Sequence, residues 1–159
     1  RRRLDVEAWR DAMLHASGQL DLKLGGEPKD LNTKDNRRRT LYGAIHRREP
    51  NQFLRIHDFP DPTAHAPTRP QTITPLQQLF TLNGPFIHRQ AEALAATLMK
   101  QNGTESRVNA THKKLFQRAP REVELKIAIA FLVGKENEAE AWTQYAHALL
   151  ASNEFQFIE

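Results

Sequence analysis

The sequence predicts a mainly α-helical fold: a single-domain bundle of about five helices, with a long proline-rich loop and at most a minor short strand pair. Three observations predict it. Apolar residues recur at three- and four-residue spacing in several separate segments. Glycine, proline and asparagine punctuate those segments. Strand-like alternation is confined to Arg39–His46 and the C-terminal tail. A chain of 159 residues is long enough for one domain with a real core, because a chain near this size buries roughly 68–70% of its unfolded surface. We therefore read residues 1–159 as one helical domain.

Val6, Trp9, Met13, Ala16 and Leu20 form an apolar stripe opposite Glu7, Arg10 and Asp11. This spacing predicts a helix over about 4–17, stopped near Gly18, with Trp9 as a core anchor. From Asp21 to Asn36 the period fails. Gly25-Gly26 and Pro28 mark a mobile loop with a tight turn. Arg39 to His46 alternates weakly and reads as a short extended strand ended by Pro50. Phe53, Leu54 and Ile56 make one helical turn.

The stretch from Asp58 to Asn83 holds five of the nine prolines. A loop of that length inside a compact domain is functional or disordered as a rule. Its exit, Thr74-Pro75-Leu76-Gln77, matches a capping box with proline at the first helical position. Leu76, Leu79 and Phe80 supply that helix's apolar face. Asn83-Gly84-Pro85 stops it and starts another, with Ile87, Ala91, Leu94 and Leu98 inward. Residues 105–117 form a weaker helix with Val108, Leu115 and Phe116 inward. After Pro120, the inward set is Val123, Ile127, Ala130 and Phe131. Leu125, Ile129, Leu132 and Val133 widen the arc, which predicts a central helix. Residues 138–151 form the last long helix, with Trp142, Tyr145, Ala146 and Leu149 on one face. The tail docks Phe155 and Phe157 as an extended strand.

The formal net charge is +4. Residues 1–60 carry 13 Lys+Arg against 9 Asp+Glu, and residues 61–159 carry 10 against 10. The excess sits in Arg1–Arg3, in Arg37, Arg38 and Arg39, and in Arg47 and Arg48. The last two groups are the anion-binding candidates. They lack interleaved aromatics or a recognition-helix pattern, so nucleic acid is not an expected partner. There is no cysteine, which excludes disulfides, thiolate metal sites and a Cys-x-x-Cys-His haem attachment. No apolar run reaches the ~20 residues of a membrane span. The abrupt start at Arg1-Arg2-Arg3, leading at once into a helical pattern, reads as a fragment of a longer polypeptide.

The segments RRRLDVEAWRDAM, SGQLD with GG, RRTLYGAIHRR, FLRIHDFPDP, RPQTITPLQQLFTLNGPF and LLASNEF occur in order from end to end. Together they resemble the C-terminal domain of unknown function of large, secreted, cytochrome-c-bearing proteins of planctomycetes and related bacteria. The proline-rich block and the NEF ending are the most specific pieces. The resemblance implies an exported, periplasmic or extracellular setting. It also implies a haem-binding domain and a second uncharacterised domain upstream. Haem is then expected only in another domain of the full-length protein, with no cofactor in this one. Matching positions include Arg10, Asp11, Arg39, Tyr42, Arg47, Asp58, Asp61, Arg69, Thr72, Thr74, Gln77, Asn83, Asn153, Glu154 and Phe155. His57 departs from the aromatic usual there, Ile73 from threonine and Ala151 from asparagine.

Asp58, Asp61, Arg69, Thr72, Thr74, Gln77, Asn83, Asn153 and Glu154 are the ligand-binding or loop-anchoring candidates. Arg69 has two readings. Its fork of donors pins the loop by bonding Asp58, Asp61 or nearby carbonyls, or it shapes a pocket in which Arg69, Thr72 and Asn83 hold a polar ligand. His57, Asp58, Asp61 and His65 are metal-capable residue types, but their spacing fits no ligand motif, and no metal is expected. No Gly-x-Ser-x-Gly, His-Glu-x-x-His or P-loop is present, so no catalytic residue is assigned. The leading expectation is a non-catalytic structural or interaction module that docks on the upstream domains of its own polypeptide. The alternative is a domain that binds or processes an extracellular polysaccharide, sulfated in one version.

Overall fold

The computed structural model describes residues 1–158. In chain order these form β1 (Arg2–Arg3), α1 (Val6–Ala16), a 3₁₀ turn (Thr40–Tyr42), α2 (Gln52–Ile56), α3 (Pro75–Asn83), α4 (Pro85–Leu98), α5 (Thr104–Phe116), α6 (Glu122–Leu132), α7 (Ala139–Leu150), α8 (Asn153–Gln156) and β2 (Phe157–Ile158). The fold is mainly helical, as expected. The eight helices among the described residues exceed the expected five because α2, α3 and α8 are short.

α4 and α7 form the central pair. Ala91 and Ala95 on α4 and Ala146 on α7 are fully buried, and small side chains let helix axes approach closely. Around them Trp9 and Met13 of α1, Val108 of α5, Leu132 of α6, Trp142 and Leu150 of α7 and Phe155 of α8 complete the core. Burying a side chain of the Leu, Met or Phe class contributes about 1.5–3 kcal/mol. α1 ends where Gly18 takes φ +73°, a left-handed turn that glycine adopts without a Cβ clash. β1 and β2 pair antiparallel, with Arg2 opposite Ile158 and Arg3 opposite Phe157. The Leu4 N–H donates to the Gln156 carbonyl at 2.8 Å and extends this end-to-end ladder.

Four expectations are corrected. Arg39–His46 is not a strand but a 3₁₀ turn flanked by single bridges, Asp21 with Arg38 and Lys29 with Gly43. Asp11 Oδ1 on α1 captures the Thr40 N–H at 2.7 Å and its hydroxyl at 2.6 Å, which folds the chain into a turn. At Gly43 a Cβ would meet the Leu31 side chain at 2.7 Å, so any larger residue there would force Leu31 to shift. The tail makes a helical turn, α8, before it extends. α3 buries Gln77 and Thr81 and leaves Leu76 and Leu79 more than half exposed. Finally, α6 is peripheral. It buries Ala128 and Leu132, whereas Val123, Ile127 and Phe131 are 66%, 64% and 42% exposed.

Candidate functional site

The proline-rich strap is fixed at its root by Asp58. This residue follows α2 in the left-handed region, at φ +63°, a conformation that Asp visits more readily than most side chains. Its carboxylate accepts from the Thr72 N–H (2.9 Å), the Thr72 hydroxyl (2.7 Å) and Gln77 Nε2 (3.2 Å). It also accepts from the Arg3 guanidinium, which donates in addition to the Thr72 carbonyl and to Gln77 Oε1. Burial works to raise the Asp58 pKa. The Thr72 donors and Arg3 outweigh it and hold the carboxyl below its usual range.

The predicted capping box is present. Gln77 N–H donates to Thr74 Oγ1 at 3.2 Å and Thr74 N–H to Gln77 Oε1 at 3.1 Å. Gln77 Nε2 also reaches the Ile56 carbonyl and the Thr72 hydroxyl. Asp58, Thr72, Thr74 and Gln77 are therefore brought together, with Arg3 as their shared cation.

Arg69 bonds neither Asp58 nor Asp61. Its two terminal nitrogens each lie 2.7 Å from an oxygen of Glu7 on α1, with Asp5 3.9 Å away. Its guanidinium also faces the Phe59 ring. The Glu7 hydrogen bond holds the Arg69 pKa above its usual value. Burial works to raise Glu7, and Arg69 lowers it overall. Between Arg3, Asp58 and Arg69 there remains a cavity of about 10 Å³, roughly the room one water needs.

Asn83 is elsewhere, donating to the Leu79 carbonyl at the end of α3. Asp61 accepts from the Thr63 N–H and hydroxyl in its own turn. Asn153 opens α8 on the surface. Glu154 takes two bonds of 2.7 Å from Arg118, whose fork also holds Glu124.

The arginine clusters divide by role. Arg38 is buried, donates to the Lys23, Gly25 and Glu27 carbonyls and faces the Tyr42 ring. Arg39 pairs with Asp11 at 3.6 Å. Arg37, Arg47 and Arg48 are exposed.

Two further buried arginines act on backbone carbonyls. Arg10, 2% exposed, donates to the Asn36 and Arg38 carbonyls at 2.7 and 3.0 Å and to the Thr40 hydroxyl. Burial lowers its pKa to about 10, against the pull of Asp11. Arg107 caps the end of α4 through the Met99 and Gln101 carbonyls and reaches the Glu136 carbonyl at 2.7 Å.

A family model matches residues 1–132. The chain belongs to PSD1, a family of proteins of unknown function (DUF1553). No curated protein and no solved structure matches it. The PSD1 match ends with the last residue of α6. Trp142, Leu150 and Phe155 lie beyond it yet complete the core.

Within this PSD1 fold, Asp58, Glu7 and Glu154 are all held below the usual carboxylate range. Arg118 drives Glu124 far lower still. Such carboxylates stay ionised and suit anchoring, whereas a general acid at neutral pH needs a raised pKa. His57 is sealed among the rings of Trp9, Phe53 and Phe80, while His65 is exposed. Among the described residues, no group of three or more His, Cys, Asp or Glu side chains is placed to hold a metal ion. No helix among them is long and apolar enough to cross a membrane. The surface feature that sequence periodicity misplaced is the outer face of α6. Val123, Ile127, Ala130 and Phe131 stand there in one exposed stripe, beside the Lys126–Glu122 ion pair.

Proposed function

We propose that this domain is a non-catalytic packing and interaction module of an exported, cytochrome-c-associated multidomain protein. In this reading the outer face of α6 docks on an upstream domain of the same polypeptide, and any haem belongs to that upstream region. One observation carries it: a helix apolar on both faces buries only one of them. Contiguous exposed apolar surface rimmed by charge marks interaction sites. Periodic apolar residues at 123, 127, 130 and 131 suit a helix laid against a partner groove. The sequence resemblance supplies the partner and the exported setting.

The test is calorimetric binding of the domain to its separately expressed upstream region. Paired Ile127→Ser and Phe131→Ser changes should weaken it at least ~10-fold, a loss of about 1.4 kcal/mol. Binding no tighter than that of an unrelated basic helical protein would remove the reading's main support.

A further inference from the structure

A second feature lies away from α6. The loop that follows α1 and the first half of α4 enclose an open cleft of about 420 Å³, within the ~300–1,000 Å³ usual for small-molecule sites. Lys34 and Arg37 line it from the loop, and Arg89 and Gln90 from α4. No hydrogen bond or ion pair joins the Lys34, Arg37 or Arg89 side chain to another described residue. In this they differ from Arg3, Arg10, Arg38, Arg69, Arg107 and Arg118, each of which is engaged.

The cleft is built before any ligand arrives. Asn36, 5% exposed, ties the loop to itself through the Lys29 and Asp30 carbonyls. Buried Arg10 holds the same loop to α1 through the Asn36 carbonyl. Gln90 is 6% exposed, and its Oε1 accepts from the Ser17 hydroxyl at 2.7 Å. That bond fixes the amide and leaves its NH₂ as a donor. Among the described residues, Glu92 is the one carboxylate lining it, and it sits 3.3 Å from His88 Nδ1. Phe86 adds apolar lining.

We infer that this cleft binds an oxyanion (a sulfate, phosphate or carboxylate group) carried on a ring-sized organic molecule. Lys34, Arg37 and Arg89 supply the charge, and the Gln90 amide supplies a fixed neutral donor. Unpaired cations lining one hollow can form charge-assisted hydrogen bonds without first breaking internal pairs. Phe86 gives the cleft an apolar wall beside the cations. Sulfated or uronic saccharides and phosphorylated small molecules share this chemistry.

The experiment is an NMR titration of the ¹⁵N-labelled protein at low salt, where surface charge is least screened. The probes are inorganic sulfate, inorganic phosphate, a sulfated disaccharide, glucose 6-phosphate and an uncharged disaccharide. Saturable shifts at the Gln90 side-chain amide and the Arg89 backbone are expected with the anionic probes. Lys34→Gln with Arg37→Gln should weaken binding at least ~10-fold, as the loss of two charge-assisted contacts implies. Arg47→Gln with Arg48→Gln should leave it within about twofold. Tighter binding of the sulfated disaccharide assigns the anion to a saccharide, and tighter binding of glucose 6-phosphate assigns it to a phosphorylated metabolite. No shift at Gln90, equal binding of the uncharged sugar, or equal weakening by the Arg47 and Arg48 pair would overturn the inference. Unchanged amide spectra of the free variants show that the fold is intact.

Discussion

Arg69 and Glu7 meet in a two-armed ion pair, each nitrogen 2.7 Å from its own carboxylate oxygen, across 62 positions of sequence. The pair joins the middle of the proline-rich strap to the first turn of α1. Arg3 draws the strap's start and its exit together through Asp58, Thr72 and Gln77, so two cations hold the strap.

These two anchors differ in exposure, and that difference sets a first prediction. The Arg3 and Asp58 side chains are 15% and 12% exposed, against 36% and 26% for Arg69 and Glu7. Arg3→Ala should destabilise by about 2 kcal/mol, since it strips a part-buried carboxylate of its cation and frees the Thr72 carbonyl. Arg69→Ala should cost about 1 kcal/mol or less. Urea unfolding measures both, and a double-mutant cycle of Arg69 with Glu7 should give a coupling that shrinks in salt. Equal losses for the two arginines would refute this ranking.

Arg10 anchors more than the strap. Its replacement by methionine keeps volume but orphans the Asn36 and Arg38 carbonyls and takes one donor from the Thr40 hydroxyl, which keeps Asp11. A loss of about 3 kcal/mol or more is expected. Amide exchange should then rise first in residues 21–43, because that loop hangs on Arg10.

On α6 the two faces should respond in opposite ways. Leu132→Ala, fully buried, should cost about 2–5 kcal/mol. Ile127→Ser and Phe131→Ser should change stability by about 0.5 kcal/mol or less and lower the binding of a hydrophobic dye. A large loss at Ile127 would mean that the outer face is packed in solution.

Acid should destabilise the fold in two steps. Burial lowers the His57 pKa, opposed by the Phe53 carbonyl bond and Asp58 and assisted by Arg3. Burial lowers His112 too. As pH falls below about 6.5, the unfolded chain takes up these protons before the folded one does, so stability drops. Asp58, Glu7 and Glu154 are lowered carboxylates. Their contribution is complete above about 4 and disappears as pH falls through their folded values. His57→Phe fits the ring cluster of Trp9, Phe53 and Phe80 and should remove part of the first step alone. Thermal melts from neutral to acidic pH check this. A first step unchanged in that variant would place it on other groups.

Much of the architecture was legible because local chemistry decided it. The Thr74–Gln77 box, the stop at Gly18 and the inward set of α4 are set by nearest neighbours, and each stands where spacing put it. Two kinds of feature were not legible. Periodicity finds a face only when the other face is polar. α6 is apolar on both, so the pattern selected Val123 and Ile127 while Ala128 and Leu132 turned inward. α3 reverses the rule outright, because Gln77 has enough partners to be buried in place of Leu76.

Among the candidate residues, the grouping of Asp58, Thr72, Thr74 and Gln77 followed from proximity in the strap. The partners of Arg69 and Asp58 did not, since Glu7 and Arg3 lie at the other end of the sequence. Arg10 and Arg107 donate to backbone carbonyls, which every residue carries, so no side-chain pattern announces them. The resemblance marked Arg10 as a matching position without saying what it holds.

The ladder of β1 with β2 joins the first described residues to the last. Any tether attached through both flanks would therefore grip the molecule at one spot. Tension along such a tether would peel a two-residue zip open rung by rung, and α4 and α7 would feel the pull only after that zip had parted.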